Sequence, residues 1–267
     1  MSGSWRNRLH NTVAARPALW RLYRSLRAHW RGQMSPTSPV RRVLEVFAEE
    51  CRPVFFVQVG AHDASVEDPI ADLVRASGWS GLMIEPVPHV FARLRERFGG
   101  NPRLRFENIA ITESEGERPF FCLEPLAEPL SPWYDQLGSF SREHIEKHER
   151  FTPGLSAHIR EIRVRCAPLS TLLARLGIDR VDLLQVDAEG HDFAVLKSFD
   201  YGRGAPGLLL FEHGHLAAAD RNACFSFLAG RGYRWFQEAR DCLAMHVAAR
   251  DRWPQTARFM DALSPEP

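Results

Sequence analysis

Residues 54 to 63 read VFFVQVGAHD, a short run of apolar and β-branched residues that stops at a glycine and passes into polar groups. A run of this length, not alternating and bounded by turn residues, reads as a strand buried on both faces, which is the habit of parallel sheets. The segments GLMIE (81–85), VDLLQV (181–186) and LLLF (208–211) share that character. Between them, residues 69–77, 89–98, 193–199 and 221–229 carry helix-like spacing. The alternation predicts βαβ units and an α/β fold with a mostly parallel sheet and helices on both faces. Further strands are expected at 104–111, 118–123 and 162–166, with a helix at 169–176 and a closing antiparallel pair at 233–236 and 242–247. Residues 124–151 are too long and irregular for a plain connection and predict a lid or substrate loop, an insertion reaching from about 124 to 160.

Outward from this core the composition is ordinary. The chain has 267 residues, 45% hydrophobic and 25% charged, which excludes a disordered or fibrous chain. The net charge of +1 conceals an asymmetry: nine arginines and no acid lie in residues 1–44, so the remainder has 25 basic residues against 33 acids. Leu19, Leu22, Tyr23, Leu26 and Trp30 share one helical face, while Arg21, Arg24, Arg27 and Arg31 lie on another. Residues 1–40 are therefore expected to form a basic amphipathic helix and linker, either resting on an anionic membrane surface or packed on the domain. Residues 32–39 (GQMSPTSP) have linker composition, 41–250 form the domain, and 251–267 are read as a tail. Five cysteines, odd in number, widely spaced and without a C-x-x-C pair, argue against a disulfide framework or a zinc site and suit a reducing compartment. The expected setting is cytoplasmic, at most peripheral at the inner face of a membrane, and no nucleic-acid partner is expected.

Ligands of open parallel sheets bind beyond the carboxyl ends of the strands, so the residues just after each strand are the candidates. The first strand runs into Gly60, Ala61, His62 and Asp63; the second into Glu85 and Pro86; the third into Asn108. Later strand ends carry Asp187 and Glu189, then Glu212, His213 and His215. Gly60 is expected to let a cofactor approach the backbone, and Glu85 to accept hydrogen bonds from ribose hydroxyls. Nicotinamide and S-adenosylmethionine enzymes share that pair. The G-x-G-x-x-G turn that a dinucleotide pyrophosphate needs is missing here, and Asp63 is expected to favour a cationic sulfonium over an anion.

Several segments together resemble the FkbM-type methyltransferases: VQVGAHD (57–63), DPI (68–70), GWSGLMIEPVPHVFARL (78–94), ENIAI (107–111), LLQVDAEGHDFAVLKSFD (183–200) and LLLFEHGHL (208–216). The resemblance implies a class I methyltransferase (Rossmann-like) fold and S-adenosyl-L-methionine as cofactor. It implies that the turn at Gly60 holds the methionine part, Glu85 the ribose, and Asn108 the neighbourhood of the adenine. It also implies O-methylation of a sugar, glycan, lipid-linked or polyketide-like hydroxyl. His62 stands where that family usually has Asn, and Ala64 where it usually has Gly.

Methyl transfer to a hydroxyl needs in-line positioning and a group to take the proton. Asp187, Glu189, Glu212 and His215 are the catalytic candidates, with Asp187 also adjoining the cofactor. His191 and His213 are weaker ones. The same acids and histidines could hold a divalent metal, a reading the residue types alone do not favour. Ser141 is expected to cap a helix that brings Arg142 and His144 towards the mouth, and Trp133, Tyr134 and Phe140 either cover an acceptor or pack the insertion down. The rival from another class is a catalytically silent binding module on the same fold.

Overall fold

The structure is a computed structural model that describes residues 38–64, 68–127, 129–131 and 134–263. The basic helix read at the N-terminus, and Trp133, lie outside the described residues.

The chain enters through α1 (Pro39–Glu50), capped by Ser38, whose hydroxyl accepts from the Arg41 amide. Part of the stretch read as linker is thus a helix start, and Pro39 sits in the first turn where its missing N–H costs nothing. Then follow β1 (Phe55–Val59), α2 (Ala71–Ser77), β2 (Ser80–Ile84), α3 (Pro88–Phe98) and β3 (Leu104–Glu107). Next come β4 (Ala110–Ile111), β5 (Gly116–Leu123), β6 (Gly138–Ser139), α4 (Arg142–Glu146) and β7 (Ile159–Ala167). The chain closes with α5 (Leu169–Arg175), β8 (Leu183–Val186), α6 (Asp192–Lys197), β9 (Leu208–Glu212), α7 (Ala218–Ala229), β10 (Tyr233–Glu238), β11 (Asp241–His246) and α8 (Pro254–Leu263).

Seven strands form one sheet in the order β10-β11-β9-β8-β1-β2-β3. Its pairs are parallel from β3 to β9, and β11 and β10 add an antiparallel edge. Both faces are covered. Helices α1, α2, α3 and α8 share one apolar core with Phe56 and Met83, and α5, α6 and α7 share the other with Val57, Val59, Leu184 and Val186. This is the expected α/β fold of class I methyltransferases, doubly wound. Strand order reverses between β1 and β8, the place where such sheets bind ligands.

Two expectations need correction. The strand read through 104–111 breaks at Asn108, whose side-chain amide donates to the Glu85 and Pro86 carbonyls, so β4 leaves the main sheet. It joins a second sheet of order β4-β7-β5-β6, which frames the insertion. The segment read as a C-terminal tail contains α8, which buries Thr256, Ala257 and Met260. Its first turn is held by Glu50 of α1, whose carboxylate accepts from the Gln255 and Thr256 amides. The five cysteines are all free and buried. Among the described residues no helix is long and apolar enough to cross a membrane.

Candidate active site

The turn after β1 is the centre of the rim. Gly60 has φ +75°, and a Cβ there would fall 1.8 Å from the Asp187 carbonyl oxygen. The neighbouring strand end alone therefore requires the glycine. The Gly60 and Ala61 amides both donate to the Ile84 carbonyl, which fixes the turn on β2. His62 follows at φ 51° and Ala64 at φ 50°, both in the left-handed region. Asp63 is buried and faces Arg93 at 3.3 Å and Arg97 at 3.7 Å from α3, with His62 Nδ1 at 3.1 Å. Its charge is therefore balanced within the protein. The expectation that Asp63 selects a cationic ligand is corrected accordingly, and the missing glycines remain the reason a dinucleotide does not fit.

Glu85 ends β2 as a buried carboxylate. One oxygen accepts from the His62 amide at 3.0 Å and the other from the Val87 amide at 2.8 Å. Each oxygen keeps a second lone pair for a hydroxyl. Burial pushes its carboxyl up, opposed by His62, the two amides and Arg93. Asn108 sits beside it, but its donors are spent on the Glu85 and Pro86 carbonyls, so its part is to hold the loop after β2. Gln58 and Asp68 were not singled out in the sequence. Gln58 donates to Asp68 at 2.7 Å, and Asp68 accepts from the Ile70 and Ala71 amides at the start of α2.

At β8 and β9 the acids gather. Asp187 faces the open cleft; the surrounding protein mass, and next the charge of Glu189, push its carboxyl up to about 7. Glu212 is pushed up to about 10 by burial and by Asp187 and Glu189, against Arg240 whose Nε lies 2.9 Å away. Burial also raises Glu189, yet the imidazoles of His144 and His215 outweigh it and hold that carboxyl low. Asp192, which sequence reasoning missed, is fully buried and accepts from the amides of Ala188, Gly190 and Glu212, tying the loop after β8 to β9. Asp241, opposite Glu212 across the β9–β11 pair, is pushed up to about 8 by burial first and then by Asp187.

The insertion reaches this rim. Ser141 caps α4 as expected, accepting from the His144 amide. His144 Nε2 then lies 2.9 Å from Glu189 Oε2 and 2.9 Å from His215 Nδ1, and His215 Nδ1 lies 3.3 Å from Glu189 Oε2. His144 was expected near the mouth but was not among the site candidates. His213 is buried against Phe225 and burial lowers its pKa; His191 packs on Phe140. Of the three loop histidines, only His215 joins the cluster. Tyr134 is fully buried in the insertion's own core with Leu123, Leu137, Ile145, Leu155 and Ile159, and Phe140 packs edge-on against Phe120. These two aromatics hold the insertion down.

A family model described as the methyltransferase FkbM domain matches residues 58–238. Comparison with curated protein sequences finds no match. Among solved structures, a methyltransferase FkbM from Methylobacillus flagellatus KT is 13% identical with a TM-score of 0.45, the match covering 73% of this chain and 44% of that one. The chain thus spans less than half of that relative. A precorrin-6y C5,15-methyltransferase from Geobacter metallireducens GS-15 is 12% identical with a TM-score of 0.38 over 79% of this chain and 89% of that one. A methyltransferase from Geobacter sulfurreducens is 13% identical with a TM-score of 0.42 over 85% and 87%. On the domain match, which takes in the Gly60 turn, Glu85, the insertion and the acids of β8 and β9, the chain belongs to the FkbM methyltransferase-domain family.

Proposed function

We propose that the protein is an S-adenosylmethionine-dependent O-methyltransferase acting on a hydroxyl of a sugar, glycan, lipid-linked or polyketide-like metabolite. The observation that carries this reading is the continuity of the rim. Glu85 accepts from the His62 amide, the Gly60 turn abuts the Asp187 backbone, and Asp187 opens on the cleft. The residues suit the cofactor: Glu85 keeps a lone pair on each oxygen for the ribose. S-adenosylmethionine supplies the methyl group as an electrophile. Asp187 accepts the acceptor's hydroxyl proton as the oxygen–methyl bond forms and the methyl–sulfur bond breaks, its electron pair staying on sulfur. A carboxyl held near neutrality suits that exchange, because it is both partly ionised and basic enough to help.

Calorimetry with S-adenosylhomocysteine tests the cofactor half. Glu85→Ala removes charge-assisted hydrogen bonds of about 1.5–3 kcal/mol, so affinity should fall roughly tenfold or more. Unchanged affinity in a folded variant overturns the ribose role. Asp187→Asn keeps shape and loses the base, so turnover should drop by about 100-fold. Activity within a factor of about three of the parent would exclude the role, since that is less than base catalysis contributes. If neither protein turns over any acceptor while both bind S-adenosylhomocysteine, the silent binding module is the better reading. The basic residues before Pro39 would bring such an enzyme to lipid-linked acceptors by attraction to anionic headgroups. Equal liposome co-sedimentation of the full chain and of a chain beginning at Ser35 would rule that out.

A further inference from the structure

Among the described residues, His144, Glu189 and His215 are the one set of three His, Cys, Asp or Glu side chains whose ligand atoms all lie within 4.8 Å of one another. They come from three separate places: α4 of the insertion, the loop after β8, and the loop after β9. Their side chains are 15%, 18% and 8% exposed, so the trio is enclosed yet reachable from the cleft.

The three contacts form a triangle with sides of 2.9, 2.9 and 3.3 Å. As a hydrogen-bond network this triangle is frustrated. Each imidazole nitrogen offers either a proton or a lone pair, never both. If both carry protons, two N–H groups confront each other across 2.9 Å. If one does, the other nitrogen turns its lone pair on the Glu189 carboxylate; if neither does, all three contacts are repulsive. With the carboxylate ionised, every placement of protons leaves at least one bad contact. A cation at the centre makes all three lone pairs favourable together. Metal–ligand bonds of about 2.1 Å put neighbouring ligand atoms about 3.0 Å apart on an octahedral face and about 3.4 Å apart on a tetrahedral one, within about 0.1 Å of the triangle's two short sides and its long side.

The surroundings agree. The far nitrogen of His215, Nε2, lies 3.3 Å from Glu212 Oε1, and Glu212 is steadied by Arg240. A carboxylate behind a ligating histidine is the usual means of orienting the ring. Glu189 adopts φ 48°, an uncommon backbone for a residue with a side chain, next to Gly190 at φ 94°. Strain of that kind is retained where the surroundings dictate the side chain's direction.

We propose that His144 Nε2, His215 Nδ1 and Glu189 Oε2 form a site for a divalent first-row transition cation such as Zn²⁺, whose remaining positions face the cleft and anchor the acceptor's hydroxyl oxygen. Two imidazoles and one carboxylate suit such a cation better than Mg²⁺ or Ca²⁺, which favour all-oxygen sets. Bound there as a Lewis acid, it lowers the hydroxyl's pKa without any change of oxidation state, and Asp187 remains the proton acceptor. The site also ties the insertion to the two strand ends that carry the acids. The anchoring role rests on the methyltransferase reading; the binding of the cation does not.

The test is titration of the metal-stripped full chain with Co²⁺, read by its visible absorption, together with Zn²⁺ competition and thermal shift. One equivalent should bind, give tetrahedral or five-coordinate bands, and raise the melting temperature. His144→Ala and His215→Asn should each weaken binding about 100-fold or more, since even outer groups cost 10–100-fold at such sites. His191→Ala, outside the trio, should bind as the parent does. Should one variant fail to fold, Glu189→Gln gives the same readout. No cobalt bands at about 1 mM metal, a concentration at which even weak sites fill, overturns the proposal, as does binding that His144→Ala and His215→Asn leave unchanged. Calorimetry with S-adenosylhomocysteine on the same samples separates the two readings. Cofactor binding without cobalt binding defeats the metal site alone, and cobalt binding without cofactor binding defeats the methyltransferase reading alone.

Discussion

Gly60 shows how a single position joins fold to chemistry. Its φ of +75° is one that side chains enter at a cost, and the Asp187 carbonyl occupies the place a Cβ would take. Gly60→Ala should therefore destabilise the protein by about 3 kcal/mol, combining left-handed strain with overpacking, and should displace Asp187 along with it. Urea unfolding measures the first effect, and parental stability would contradict the geometry. The sequence pointed to Gly60, but the demand on it comes from Asp187, more than a hundred residues later in the chain and adjacent only in space, which no local reading supplies. Asp63 is the same case: its neutralising partners Arg93 and Arg97 lie a helix further on. Glu85 and Asp187 were legible because each directly follows a buried strand. His62 and Ala64, where the family usually carries Asn and Gly, both hold positive φ, the region those two residues enter most readily.

At the scale of elements, α4 carries His144 to Glu189 and His215 on only five residues. A helix that short has little stability of its own and depends on its cap and on buried Ile145. Ser141→Ala removes the hydroxyl that accepts the His144 amide, at a cost of about 1 kcal/mol. Amide exchange across 144–147 should quicken about fivefold, with global unfolding moving less; an equal change in both would mean that α4 does not open independently. The cap was readable from the sequence, as were the strands of the main sheet, because buried parallel strands write themselves as apolar runs. Helix α1 was also present in the spacing of Val40, Val43, Leu44 and Phe47, although the Ser and Pro content before it suggested a linker. Helix α8 was not legible: Thr256 and Ala257 are weak apolar signals, and its place is set by Glu50, about two hundred residues earlier. The second sheet was hidden for a like reason, since Asn108 breaks the stretch 104–111 by hydrogen bonds to another strand's loop.

Across the whole molecule, acids crowd one end of the sheet, and this sets how stability should vary with pH. Asp241 and Glu212 are raised to about 8 and 10 by burial and by neighbouring acids, and exposed Asp187 to about 7 by the surrounding protein and the charge of Glu189, all far above the unfolded value of about 4 for such groups. Each holds its proton more tightly when folded. Their contribution is complete below the unfolded pKa and is lost as pH rises through the folded values. Half-buried His148 and His191 and buried His213 act in the other direction, because loss of solvent lowers their pKa and folding then disfavours protonation at acid pH. That gain with rising pH is finished just above their unfolded value of about 6.5. Between pH 5 and 6.5 the two effects oppose each other; from about pH 7 to 9 the carboxyls still titrate, and the five buried cysteines, whose thiols burial raises, lower stability in the same direction as the unfolded thiols ionise near about 8.5. The melting temperature of the full chain should therefore fall from pH 7 to 9. Asp241→Asn removes one of the titrating groups and should flatten that fall, whereas a profile that stays level or rises to pH 9 in the parent would show that these acids are ionised in the folded protein at neutral pH. Saturating Zn²⁺ should also flatten it if the cation lies beside them, because a positive charge at Glu189 favours ionisation of Asp187 and Glu212.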